Sequence, residues 1–295
     1  MATAPAELGT APGAFEPIPV DTGGRGRWRT LAGIWIPAAL LLLIFGLCFL
    51  WPLIGPVGKP TGGNILDANL PIFSSGHLLG TDETGNDEWA RVLYGGRNSL
   101  EIALAVTALG ITVGGLLGAL AGYLGGWRDG VIMRILDVLI AFPALVLAVA
   151  VAEGLGPSKT NTIWALTFFS VPAFARIARA EALRIRGLEF MTAARLSGSG
   201  HMRMLFRHVT PNILPQLMTF ALLGIGITVV LEGALSFLGL GVPAPAPSWG
   251  NMIASGQAVI SAEPRFVFVP SAALFITVFS FNLLGDGLRT RWSER

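Results

Sequence analysis

The sequence predicts an all-α integral membrane protein with six transmembrane helices, and three observations carry that prediction. Of 295 residues, 53% are hydrophobic and only 13% charged, with a mean hydropathy of +0.65; an ordinary water-soluble domain is far more polar. The apolar residues are gathered into long runs at 31–54, 100–123, 131–152, 162–174, 216–240 and 266–284. The basic residues are segregated as well. With an even number of spans, all but five of the 20 Lys and Arg (Lys59, Arg91, Arg97, Lys159 and Arg265) fall on one side, which the positive-inside rule makes the cytoplasm, with both termini there.

Each element follows from its local chemistry. Residues 1–30 are rich in Ala, Gly and Pro and lack apolar periodicity, so they are expected to form a disordered cytoplasmic tail. Arg25, Arg27 and Arg29 then precede the 31–54 run, long enough as a helix (roughly 36 Å) to cross the hydrocarbon core. That run ends in Trp51-Pro52-Leu53-Ile54 and lacks a small-x-small cleavage site, so it reads as an uncleaved first span. Residues 55–96 are polar, with an acidic cluster of Asp82, Glu83, Asp87 and Glu88, and are expected to be extracytoplasmic. In the second span Gly110, Gly114, Gly118 and Gly122 recur every fourth residue, a stripe that lets a neighbouring helix approach closely where lipid removes the hydrophobic drive.

The third span contains Asp137 and a kink site at Phe142-Pro143. Asp137 is read either as a functional intramembrane acid or as a partner of Arg134. The fourth run is short, so its helix is expected to continue past Arg176 as an amphipathic extension. It leads into the polar island 176–215, which holds seven arginines. Within the island, 188–196 reads as a helix, Ser197-Gly198-Ser199-Gly200 as a break, and 201–209 as a second helix that Pro211 and Pro215 terminate. In the fifth span Thr228, Glu232 and Ser236 share one face, expected to meet a protein interior or an aqueous path. A proline-rich loop, 241–265, and the last span complete the chain.

Chemical machinery is missing from the sequence. Neither lysine lies in a phosphate-binding Gly-x-x-x-x-Gly-Lys-Ser/Thr loop, and Leu196 replaces the leading glycine of a nucleophile elbow. Cys48 is the only cysteine, His77 has no second ligand nearby, and His201 and His208 lie two helical turns apart, so no metal site is expected. The net charge of +2 gives no reason to expect nucleic acid. A stand-alone secondary transporter or channel would use the buried acids for ion coupling, but the sequence shows no inverted repeat between its halves, and such a protein does not need a basic island of this length. An intramembrane hydrolase lacks its Ser–His pair. The remaining reading is a membrane subunit worked by a partner.

Several motifs add a family resemblance. Ala193-Ala194, Gly198 and then Pro211, thirteen positions later, resemble the EAA signature of ABC-importer membrane subunits. Thr192 stands where the motif has Glu and Thr210 where it has Leu; Glu189 is the nearest acid to take the missing role. Arg207-His208-Val209, the passage from His77 to Asp87, Tyr94-Gly95-Gly96-Arg97-Asn98-Ser99-Leu100 and Ser248-Trp249-Gly250-Asn251-Met252 are similar to the dipeptide, oligopeptide and nickel permeases, specifically the C-type subunit. This resemblance implies a type I ABC-importer permease fold, with a five-helix core at 97–290, a coupling loop at 176–215 and a cytoplasmic end at 291–295. It further implies a multi-pass protein of the bacterial cytoplasmic membrane, in contact with membrane lipid. The implied partners are a homologous second permease subunit, two ATPase subunits or domains, and an extracytoplasmic solute-binding protein. ATP and Mg would sit on the ATPases, this chain would hold no cofactor, and the substrate would be a peptide, with nickel or another small polar solute as the alternative. Coupling to the ATPases is expected from Glu189, Phe190, Ala193, Ala194, Gly198, Met202, Leu205, Phe206 and Pro211. The translocation path is expected to include Thr228, Glu232, Ser236 and Asn282.

Overall fold

A computed structural model describes residues 25–293, with side chains from 33 to 291, and among them the chain is helical with only isolated β-bridges. The expected tail therefore lies mostly outside the described residues, as do 294–295. Helix α1 begins at Arg25 rather than after residue 30: Arg25–Phe45 continues through a π turn, Gly46–Leu50, into Trp51–Ile54. No proline lies in 25–30, and the helix of the apolar run continues back through the arginines despite Gly26.

Helix α2 spans Glu88–Leu124 with a π turn at Gly110–Gly114. Asp87 caps it, its carboxylate accepting from Ala90 N at 2.7 Å. At 37 residues it is roughly 55 Å long, more than the hydrocarbon core requires. Gly125 and Gly126, both at positive φ, turn the chain into α3, Gly126–Ile140. The third expected span is not continuous: α3 and α4, Ala144–Leu155, meet at 83° across Phe142-Pro143. Pro143 supplies no N–H to the ladder, and the resulting break is far larger than a kink.

Helix α5, Lys159–Arg186, extends the fourth span well past Arg176. Ser158 caps its start, accepting from Asn161 N at 3.0 Å. Arg184 and Arg186 in the last turn complement the negative end of its dipole. A Leu188 entry starts α6, Glu189–Leu196; α7 is His201–Phe237, with a π turn at Met204–Val209. Ser248 and Asn251 form a capping box for α8, Trp249–Gly256. Helix α9, Arg265–Ser293, ends the described chain. Among the described residues four helices are long and apolar enough to cross a membrane, and up to five when α3 and α4 count as one span. Helix α5 is too polar by that measure, and its packing explains how it is tolerated: α2, α3, α4 and α7 all lie against it.

The glycine stripe faces α5. A Cβ at Gly110 would run into Ser170 and Phe174, at Gly114 into the Val171 carbonyl, and at Gly118 into the Ala175 carbonyl. At Gly122 it would lie 2.6 Å from Arg179 O and 2.8 Å from Ala182 Cβ. Ala175, Ala178 and Ala182, fully buried on α5, complete a contact between two small-residue faces. Three apolar clusters surround it. One joins Tyr123, Phe174, Ile185, Met191, Met204, Val209 and Leu217 at the island end of the bundle. A second joins Leu41 and Cys48 of α1 to Leu100, Val229, Trp249 and Phe281. The third packs Ala148 and Ala152 of α4 against Ala165, Leu166 and Leu235.

Gly118→Leu should separate α2 from α5 at a cost of about 3 kcal/mol or more, seen as a large drop in the detergent melting temperature. Gly154→Ala, where a Cβ meets nothing within 4 Å, should leave that temperature unchanged.

Candidate functional site

The island folds as a corner between α6 and α7. Gly198, at φ +78°, takes the left-handed position that closes α6. Ser199 N donates to Ala194 O at 3.2 Å and Gly198 N to Arg195 O at 3.0 Å, the paired bonds of a Schellman ending. Space is open around Gly198 and Gly200, so the backbone conformation, not crowding, requires glycine at 198. Beyond the corner, the expected second short helix is instead the first turns of α7. Pro211 and Pro215 do not stop it. Pro211 falls in the first turn of the α-helical segment after the π turn, where a missing N–H is tolerated, and Asn212 Nδ2 donates to His208 O at 2.6 Å.

The corner has two faces. Its inner face buries Met191, Met204, Leu205 and Val209 against Ala178, Ala182 and Ile185 of α5 and Tyr123 of α2. Tyr123 Oη also lies 3.1 Å from His201 Nδ1, and Arg195 donates to Arg186 O at 3.2 Å. Its outer face exposes Phe190, Leu196, Met202 and Phe206, with Leu196 85% and Met202 67% accessible. Glu189, Ala193, Arg195, Arg203, Arg207 and Pro211 are exposed around them, and Ala194 is half-buried. One expected contact residue is corrected: Leu205, 2% accessible, points into the bundle and braces the corner. The braces Met191 and Met204 went unnamed in the sequence reading, although the amphipathic repeat of α6 carries the signal for Met191.

Ion pairs tie α3 to the same end. Arg179 reaches Asp129 through two bonds of 2.5 and 2.7 Å, and Arg176 reaches Asp137 at 2.8 Å. Asp137 thus pairs across helices with Arg176, not with Arg134 one turn earlier.

The polar face of α7 meets the protein interior, one of the two environments expected for it. A path shared with a second subunit would leave its lining exposed in a single chain, yet Thr228, Glu232 and Ser236 are all buried. Thr228 Oγ1 donates to Gly224 O. Ser236 Oγ donates to Glu232 at 2.6 Å and accepts from Val242 N at 3.2 Å. The Ser99 and Ser248 hydroxyls adjoin the same carboxyl, and Trp249 Nε1 donates to Val92 O at 3.0 Å. These residues pin the proline-rich loop and α8 to α2. Asn282, half-buried on α9, donates to Val278 O at 2.9 Å and faces Gly226 of α7. Thr228, Glu232 and Ser236 therefore hold neighbouring elements together, while Asn282 stays partly accessible.

The long segment before α2 folds onto this loop end. Asn86 and Thr84 donate to the Asp82 carboxylate, and Arg91 lies 3.3 Å from it. Burial alone would raise Asp82, but those hydrogen bonds and the Arg91 charge hold it below the ordinary carboxylate range. Arg265 fastens the segment to α9, donating to Leu79 O at 3.0 Å and Leu70 O at 2.9 Å.

Known proteins share both the sequence and this architecture. Residues 114–295 match the family described as "Binding-protein-dependent transport system inner membrane component". The chain is 42% identical over 216 residues to the glutathione transport system permease protein GsiD of Pectobacterium atrosepticum, covering 73% of this chain and 72% of that protein. It is 39% identical over 216 residues to the dipeptide transport system permease protein DppC of Alkalihalophilus pseudofirmus, covering 73% and 71%. The fold is similar to that of the MetNI methionine ABC transporter in an inward-facing crystal form, with a TM-score of 0.57 at 19% identity over 68% of this chain and 95% of that one. A matched region of more than half the chain, relatives this similar and a shared all-α membrane architecture lead to one conclusion: this chain belongs to the binding-protein-dependent transport system inner membrane component family, the membrane permeases of ABC importers.

Proposed function

We propose that this chain forms half of the translocation path of an ATP-driven importer of di- or oligopeptides and converts work done by ATPase subunits into movement of its helices. The observation that carries the coupling role is the two-faced corner. Its outer face offers apolar side chains ringed by arginines, a surface that a soluble partner can grip. Its inner face is locked into the bundle, so force on the corner is delivered to α5, α2 and α7 together. Identity to dipeptide and glutathione permeases supports the peptide class.

In this reading the island end faces the cytoplasm, as the segregation of basic residues favours. The loop end then faces the extracytoplasmic binding protein. A homologous second permease completes the path, and two ATPases hold ATP and Mg. When the ATPases close, they move the corner as a rigid piece, and the bundle rocks between inward-open and outward-open packings. The buried Glu232 hub keeps the loop end intact during that motion. The contacting groups are Glu189, Phe190, Ala193, Leu196, Met202 and Phe206; Gly198 sets the corner's angle, and Leu205 anchors it.

Gly198→Pro cannot adopt the left-handed conformation. It should leave the protein inserted but reduce substrate-stimulated ATPase activity of the assembled transporter at least about tenfold, equivalent to about 1.4 kcal/mol of lost coupling. Gly200→Ala, at φ −69°, should be tolerated; full coupling in the proline variant would remove the corner from the mechanism. Leu196→Asp should abolish co-purification of ATPase subunits without lowering the chain's own melting temperature. Leu205→Ala should do the reverse, destabilising the chain by about 3 kcal/mol. Cells lacking only this subunit should lose uptake of labelled dipeptides and retain uptake of nickel; the opposite pattern would overturn the substrate assignment.

A further inference from the structure

A cavity of about 620 Å³ lies at the loop end, between the stretch from Asp82 to Arg91, the proline-rich loop and α8. Its size suits a small solute. Phe237, Pro243, Pro245, Met252 and Phe266 supply apolar wall. Most of its polar lining is already engaged within the protein. The Asp82 carboxylate accepts from Thr84 and Asn86. Asn251 donates to Val242 O and Ala246 O and accepts from Ser248 N. Ser255 donates to Met252 O, and Arg91 is held by Pro60 O and Asp82.

Glu88 is different. It lines the cavity, it is 2% accessible, and its Oε1 meets no hydrogen-bond donor among the described residues. A buried carboxylate oxygen without a donor is unfavourable by several times the net worth of an ordinary hydrogen bond. The charges around it are Arg91 and Arg265 against Asp82 and Asp87, with Glu83 also on the lining, so Glu88 and its acidic neighbours outnumber the cations. No three metal-ligating side chains converge among the described residues, and the Asp82 and Asp87 carboxylates are occupied by Thr84, Asn86, His77 and the Ala90 N–H. One free oxygen in a mostly apolar, net-acidic cavity suits a single charged N–H donor attached to an apolar body.

We propose that this cavity binds a small solute through a primary ammonium group, with Glu88 as its acceptor and the proline-rich loop and α8 holding the rest of the molecule. This rests on the peptide reading above, because a peptide's amino terminus carries that group. It deepens that reading by giving the permease its own recognition of a free amine, apart from any made by a binding protein.

The test is calorimetric titration of the full transporter in nanodiscs with dialanine, N-acetyl-dialanine and butylamine. Dialanine and butylamine should bind, acetylation should weaken dialanine at least about tenfold, and Glu88→Gln should weaken both amines by a similar factor, as loss of one charge-assisted bond predicts. Glu83→Gln should have no effect. Ser255→Trp should block binding from the opposite wall with Glu88 intact, which decides the matter if the Glu88 variant does not fold. Unchanged affinity in either blocking variant, equal binding of the acetylated peptide, or no binding of either amine would overturn the proposal. Butylamine binding that depends on Glu88, in a transporter whose loss leaves dipeptide uptake intact, would sink the peptide reading and keep the site. Dipeptide uptake that requires the subunit, with no amine sensing Glu88, would do the opposite.

Discussion

The backbone-to-backbone contact between α2 and α5 is the constraint on which the rest of this structure depends. In a bilayer, burying an apolar side chain against another helix gains little over leaving it in lipid, so association rests on close packing and on satisfied polar groups. Four glycines at four-residue spacing give α2 a flat face, and Ala175, Ala178 and Ala182 give α5 its complement. That fit lets α5 occupy the middle of the bundle. Its position in turn makes its polarity tolerable: Lys159, Arg176 and Arg179 each find a carboxylate on a neighbouring element, which lipid could not offer.

Because α5 is central, whatever is fixed to its end is fixed to the bundle. The corner is attached there through Met191, Met204, Leu205 and Val209 rather than hung from a loose loop. Its glycine sets the angle, and the π turn at its far side absorbs Pro211 so that the corner runs straight into a 37-residue helix. Such a connection transmits displacement, because packed interiors are stiff and switch between discrete arrangements. The exposed apolar residues on the other face would be a liability in a free-standing chain. Their presence on a braced, basic corner is what a docking surface requires.

The loop end follows a different rule. It is held by hydrogen bonds and buried polar groups: Asp87 capping α2, the Glu232–Ser236 pair under the proline-rich loop, and Arg265 tying α9 to the segment before α2. Such networks are stable only when nearly every member is satisfied. Glu88 Oε1 and Glu232 Oε2 are both buried without a hydrogen-bond partner among the described residues, and of the two only Glu88 lines the cavity.

Much of this was legible in the sequence because it depends on local chemistry. Apolar run length announces a membrane helix, glycine at a four-residue period announces a close helix contact, and Gly198 between helix-favouring stretches announces a left-handed ending. Composition excluded a soluble enzyme for the same reason. Periodicity, however, says which residues share a face and not what that face meets. Thr228, Glu232 and Ser236 were correctly grouped on one side of α7, but only the packing of α2 and α8 decided that this side is buried and structural. Leu205 and Phe206 are adjacent and equally apolar, and the position of α5 alone turned one into an anchor and left the other outside. Pro211 looked like a terminator because a proline lacks a donor; a π turn before it removed the conflict, and Pro143, with the same chemistry, produced an 83° break instead. The sequence by itself determined that this protein is a bundle of membrane helices with a basic, glycine-cornered island. Which side chains face the partner, the lipid or the interior was settled by tertiary contacts between segments far apart in the chain, which no local pattern can encode.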